Sequence, residues 1–170
     1  MELQDAIQLI QHTYSPGTWA DLGCGSGLFT YALANLLPAG STIYAIDKSP
    51  VHLASQPNPA HNRIIPQQLD FMMEDLPAAQ LEGILMANSL HYVKNKPALL
   101  SRLIRYLSPQ GKFIIVEYET DTANAWVPYP IRLAALKRLF AVEGFHEVTL
   151  LGERNSVFRA GKMYAVAIGR

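Results

Sequence analysis

Residues 20–30 read Ala20-Asp21-Leu22-Gly23-Cys24-Gly25-Ser26-Gly27-Leu28-Phe29-Thr30, and twenty positions beyond Gly27 the run Ile43-Tyr44-Ala45-Ile46 ends in a second acid, Asp47. Three glycines at alternate positions remove the Cβ atoms that would keep a backbone away from a ligand. They also permit positive φ at a sharp strand-to-helix turn. The helix that follows aims its free N–H groups into the same space. A carboxylate closing the next strand can reach both hydroxyls of a ribose. The combination describes an adenosine-containing ligand held at the carboxyl ends of parallel strands.

The glycine spacing and the first acid narrow that ligand. A dinucleotide site calls for G-x-G-x-x-G facing a pyrophosphate, whereas here the pattern is Gly23-x-Gly25-x-Gly27 with leucine at position 28. Asp21, at the strand end, would repel a pyrophosphate but suits a ligand that carries positive charge. S-adenosylmethionine, with an ammonium and a sulfonium, is such a ligand. The D-x-G-x-G-x-G string followed by Asp47 resembles the first motif and its acidic successor in class I S-adenosylmethionine-dependent methyltransferases. The loop residues Asp21, Gly23, Cys24, Gly25, Ser26 and Gly27, with Asp47 and Lys48 on the next strand end, are the expected cofactor contacts.

Composition fits one compact α/β domain spanning 1–170. The chain has 170 residues, is 49% hydrophobic, and carries 14 Lys plus Arg against 14 Asp plus Glu. No global field favours nucleic acid or an anionic membrane. The charge is uneven, net −6 over residues 1–82 and net +6 over 83–170. The lone Cys24 forbids an intrachain disulfide and has no evident activating base, so a small loop residue in a cytoplasmic protein is expected. The N-terminus lacks a basic and then apolar leader, and no apolar run approaches the length of a membrane span.

Apolar periodicity places an amphipathic helix at 2–13, strands at 18–22 and 42–46, and between them a helix with Phe29, Ala32, Leu33 and Leu36 on one face. Ser49-Pro50 reads as the start of a short helix that Pro57 and Pro59 must end. Strands follow at 64–69 and 81–87, with little room for a helix between them. A helix starts at Pro97, and Ser108-Pro109-Gln110-Gly111 turns the chain into a strand at 112–117. A helix over 131–142 precedes two strands, 147–151 and 163–168, joined by a loop of about ten residues as an antiparallel hairpin. The expectation is a doubly wound, mostly parallel seven-stranded sheet with that hairpin at its end. The resemblance extends over almost the whole chain and implies that the last strand inserts antiparallel between the fifth and sixth.

Ligands of open α/β sheets bind outside the carboxyl ends of the strands. The resemblance assigns Asp70 to the adenine amino group, the Phe71 N–H to a ring nitrogen, and the Asn88 carbonyl, with Ser89 beside it, to the methionine end. Methyl transfer is an in-line displacement helped chiefly by alignment, worth roughly 7–11 kcal/mol, so a base is needed only when the acceptor is protonated at its reacting atom. His91 is the candidate base; a capping role in its loop is the alternative. Tyr92, Glu117, Trp126 and Tyr129 are expected on the acceptor side. The aromatic loop 120–130 either builds an acceptor pocket or serves as a cover for the sheet edge or a homodimer contact. Lys94, Lys96, Arg102, Arg105 and Lys112 read as a solvated basic face, and the histidines lack metal-ligand spacing. The leading expectation is transfer to a small molecule, with no nucleic acid or membrane partner. Its rivals are a non-catalytic S-adenosylmethionine-binding module and a nucleotide-dependent oxidoreductase.

Overall fold

The computed structural model describes residues 1–155 and 161–170. In chain order its elements are α1 (Leu3–Leu9), β1 (Thr18–Leu22), α2 (Leu28–Leu36), β2 (Thr42–Asp47), β3 (Arg63–Gln68), β4 (Leu81–Ala87), α3 (Lys96–Leu103), β5 (Leu107–Tyr118), α4 (Leu133–Val142), β6 (Glu147–Asn155) and β7 (Lys162–Gly169). The seven strands form one sheet in the order β3-β2-β1-β4-β5-β7-β6. β1 to β5 run parallel. β7 is antiparallel to both β5 and β6, so it sits between them as the resemblance implies. The hairpin connection falls largely on 156–160, outside the described residues.

Alternation along the central strands feeds a core on each face of the sheet. Ile84, Met86, Phe113 and Ile115 pack with Leu99, Leu103, Leu136 and Phe140 of α3 and α4. Leu85, Ile114 and Val116 pack with Leu9, Phe29 and Leu33 of α1 and α2 on the other side. Trp19 and Gly83 are register partners on β1 and β4, and a Cβ at Gly83 would lie 2.0 Å from the Trp19 ring. The glycine is therefore the space into which the buried indole fits. Strand order reverses between β1 and β4, so the crevice at their carboxyl ends is the topological switch point.

Three local expectations fail for identifiable reasons. The first helix stops at Leu9, because the Tyr14 hydroxyl donates to the Ile10 carbonyl and takes over the end of the helix. No helix follows Ser49-Pro50. The Ser49 amide donates to Asp47 Oδ1 at 3.0 Å, the Ala54 amide to the Ser26 carbonyl at 2.9 Å, and Asn35 binds the Pro57 carbonyl at 2.7 Å. Backbone groups that a helix would need are spent instead on strapping this segment to the glycine turn and α2. Residues 108–111 lie within β5, as an irregularity where pairing shifts from Leu81 with Leu107 to Gly83 with Lys112.

Candidate functional site

β1 runs straight into the glycine turn, where Gly23, Gly25 and Gly27 all have positive φ, at 81°, 53° and 90°. The Gly23 and Cys24 amides donate to the Ile46 carbonyl at 2.8 and 2.9 Å, which hangs the turn on the end of β2. A Cβ at Gly23 would stand 2.5 Å from Ser89 Cβ. Ser89 in turn donates through Oγ to the Leu22 carbonyl at 2.6 Å, so the ends of β1 and β4 touch at this point. Gly25 faces open space. Its amide donates to Asp47 Oδ2 at 3.0 Å, while Oδ1 takes Ser49. A carboxylate offers about four acceptor sites, so Asp47 keeps capacity for two more donors.

Asp21 is 1% exposed and lies on the α2 side of β1, where the Thr30 hydroxyl donates to its Oδ2 at 2.6 Å. Its Oδ1 is buried without a partner. Burial pushes the carboxyl up to about 7; the Thr30 bond opposes the shift and the Asp47 charge adds to it. Burial, with Asp21 and Asp47 nearby, also raises the Cys24 thiol to about 12. The thiol therefore stays protonated and is not a nucleophile.

Two cavities open at the carboxyl ends of these strands. The first, about 350 Å³, is lined by Gly23, Asp47, Lys48, Asp70, Phe71 and Ser89, among others. The Asp70 carboxylate accepts the Met72 amide at 2.9 Å and its own amide donates to Glu74 Oε1 at 2.8 Å, forming the tight turn that replaces a helix between β3 and β4. Arg102, reaching from α3, donates to the Met72 carbonyl at 3.0 Å and to the Phe71 carbonyl. The second cavity, about 500 Å³, is lined by His91, Tyr92, Tyr118, Asn124, Trp126 and Val127 together with Asn88. Asn88 and Tyr92 border both. Asn88 has φ 55° and a buried Oδ1 without a partner.

Behind the second cavity, His91 and Glu117 form a buried pair. Glu117 Oε2 lies 2.8 Å from His91 Nδ1, and Oε1 accepts the His91 amide at 2.9 Å. A carboxylate can only accept, so Nδ1 carries the proton and a neutral His91 keeps Nε2 as an acceptor. Glu117 is fully buried with both oxygens on His91, and it does not line the cavity where a substrate contact was expected. Trp126 is 80% exposed and borders the cavity. Its loop is folded by Asn124, whose Oδ1 accepts the Trp126 and Val127 amides at 2.8 and 3.0 Å. Tyr129 acts through its backbone: its amide donates to the His91 carbonyl at 3.0 Å and its carbonyl accepts from Lys96 Nζ at 2.7 Å.

The basic stretch is not a uniformly solvated face. Lys96 is buried, donates to the Val93 and Tyr129 carbonyls, and sits 5.8 Å from the Tyr129 ring centroid. Burial lowers its pKa and Glu117 counters that. Lys96 and Arg102 thus tie α3 to the loop at 120–130 and to the turn after β3. Neither was legible as a site residue, because the partners are backbone carbonyls distant in sequence. Proline after Lys96, which starts α3 there, was the available signal. Among the described residues no His, Cys, Asp and Glu cluster could hold a metal ion, and no helix is long and apolar enough to cross a membrane.

A methyltransferase-domain family model matches residues 2–158. Uncharacterized methyltransferases of Mycobacterium bovis and Mycobacterium tuberculosis are 31% identical over 103 residues, which is 60% of this chain and 51% of theirs. The chain spans about half the length of the curated relatives it matches. Among solved structures, an S-adenosylmethionine-dependent methyltransferase of Mesorhizobium loti superposes with a TM-score of 0.69 at 15% identity, covering 98% of this chain and 96% of that one. A 1,6-didemethyltoxoflavin-N1-methyltransferase of Burkholderia thailandensis, solved with its substrate and S-adenosylhomocysteine, gives 0.67 at 22% identity, covering 99% and 77%. These structural likenesses carry the fold.

Proposed function

The chain belongs to the methyltransferase-domain family, and on that premise we propose that it transfers a methyl group from S-adenosylmethionine to a small molecule. The observation that carries this reading is the pair of cavities at the switch point, which meet at Asn88 and Tyr92. A donor in one and an acceptor in the other would face each other across that wall.

The residues fit the cofactor. Asp47 has acceptor capacity left for the ribose hydroxyls. Asp70 and Phe71 also line the first cavity and suit an adenine. Two orphaned buried oxygens, Asp21 Oδ1 on β1 and Asn88 Oδ1 just past β4, belong to neighbouring strand ends where the methionine end would lie. A buried acceptor without a donor costs about 1–3 kcal/mol, which an ammonium or its bound water would offset. Bound S-adenosylmethionine supplies an activated methyl group. The chain's own residues orient the acceptor, exclude water behind Trp126, and take a proton on His91 Nε2.

Calorimetry separates this reading from its rivals. S-adenosylhomocysteine is expected to bind one to one and NAD is not; the reverse preference would make the site a dinucleotide site. Tight binding together with a stable hetero-oligomer, in which a partner holds the acceptor, would instead support the binding-module reading.

A further inference from the structure

The second cavity differs from the first in its chemistry. Among the described residues no Lys, Arg, Asp or Glu lines it. Its wall is aromatic, made by Tyr92, Tyr118 and Trp126, with the amides Asn88 and Asn124 at intervals. Two charged groups behind it are committed elsewhere: Glu117 to His91, and Lys96 to two carbonyls of the adjoining chain. Such a wall offers flat faces and a few hydrogen bonds, but no counter-ion for a phosphate, a carboxylate or an ammonium. Of the lining side chains, His91 offers an unprotonated ring nitrogen, Nε2, because Glu117 holds the proton on Nδ1. A base helps an acceptor that holds its proton tightly, as a phenol does, and adds little for a neutral amine or for a thiol that ionises readily.

We infer that the second cavity takes an uncharged, planar aromatic acceptor, and that His91, positioned by Glu117, removes the proton from its phenolic hydroxyl. This rests on the methyl-transfer reading above. The hydroxyl proton passes to His91 Nε2 and the oxygen forms a bond to the methyl carbon. The carbon–sulfur bond breaks with its pair left on sulfur, giving an aryl methyl ether and S-adenosylhomocysteine. The imidazolium is held against the Glu117 carboxylate until solvent takes the proton.

The test uses three probes of one shape, 2-naphthol, 2-naphthoate and 2-naphthyltrimethylammonium, titrated into the protein with and without saturating S-adenosylhomocysteine. We expect 2-naphthol to bind about tenfold or more tighter than either ion. Trp126→Ala should weaken it by about tenfold while S-adenosylhomocysteine affinity stays within about threefold. Naphtholate absorbance should develop at lower pH in the bound probe than in the free one, and His91→Asn should remove that displacement without removing binding. Preference for the ammonium would make the wall a cation cage, preference for the carboxylate would reveal a buried cation, and either overturns the inference. An unchanged absorbance titration in the wild type overturns the base role. Binding of S-adenosylhomocysteine without any of the three probes sinks the aromatic acceptor alone. Failure of S-adenosylhomocysteine itself to bind sinks the methyl-transfer reading beneath it.

Discussion

Asp21 is a carboxyl where water cannot reach it, and the cost of charging it there has a definite sign. Its carboxyl is raised from 3.8 to about 7 by burial, so the folded state holds a proton that the unfolded chain has lost. Stability from this group is present at about pH 4 and is lost as pH rises toward the folded value. The full shift corresponds to an order of 4 kcal/mol. Asp21→Asn should therefore flatten the pH dependence of urea unfolding and raise stability at about pH 8, while weakening S-adenosylhomocysteine binding. A variant with the wild-type pH profile would place the titration elsewhere. Asp47→Ala is a cleaner cofactor test. Hydrogen bonds to a charged group contribute about 1.5–3 kcal/mol each, so affinity should fall roughly 10- to 100-fold by calorimetry. Unchanged affinity in a folded variant would remove Asp47 from the site. At this scale the glycine turn and the placing of Asp47 against it were legible, because their geometry is local to one turn. The Glu117 clamp on His91 was not: the partners lie 26 residues apart and meet only because β4 and β5 pair.

Elements were legible where apolar periodicity decided them, and misread where polar side chains or backbone bonds did. All seven expected strands are present, although β5 starts five residues early and β6 runs four residues further than expected. The Ser49-Pro50 start signal failed because Asp47, Ser26 and Asn35 outbid a helix for the local amides and carbonyls. Two element-scale tests follow from packing. Gly83→Ala places a methyl inside the Trp19 ring and should cost about 1–3 kcal/mol in urea unfolding, because β1 and β4 must separate to admit it. A variant as stable as wild type would mean that the indole relocates freely. Lys96→Met removes the ammonium whose two hydrogen bonds hold the Val93 and Tyr129 carbonyls. Hydrogen exchange at the Tyr129 amide should accelerate while the amides of β1 and β4 stay protected. Equal protection would show that the loop at 120–130 holds itself.

For the whole molecule, the order β3-β2-β1-β4-β5-β7-β6 does two things at once. It gathers the ends of β1, β2 and β4 around the first cavity, and it brings the end of β5 and its aromatic loop beside His91 for the second. The acidic first half of the sequence supplies Asp47 and Asp70 to the lining of the first cavity, whereas the second is lined by uncharged rings and amides. The fold class was readable from alternation alone. The division into two chambers was not, since it depends on where Asn88 and Tyr92 stand between strand ends. A crystal structure of the protein with S-adenosylhomocysteine tests that division most directly. The ribose should sit on Asp47, the adenine beside Asp70 and Phe71, and the sulfur should face the second cavity between Asn88 and Tyr92. An empty glycine turn at saturating ligand, or a sulfur directed away from that wall, would contradict it.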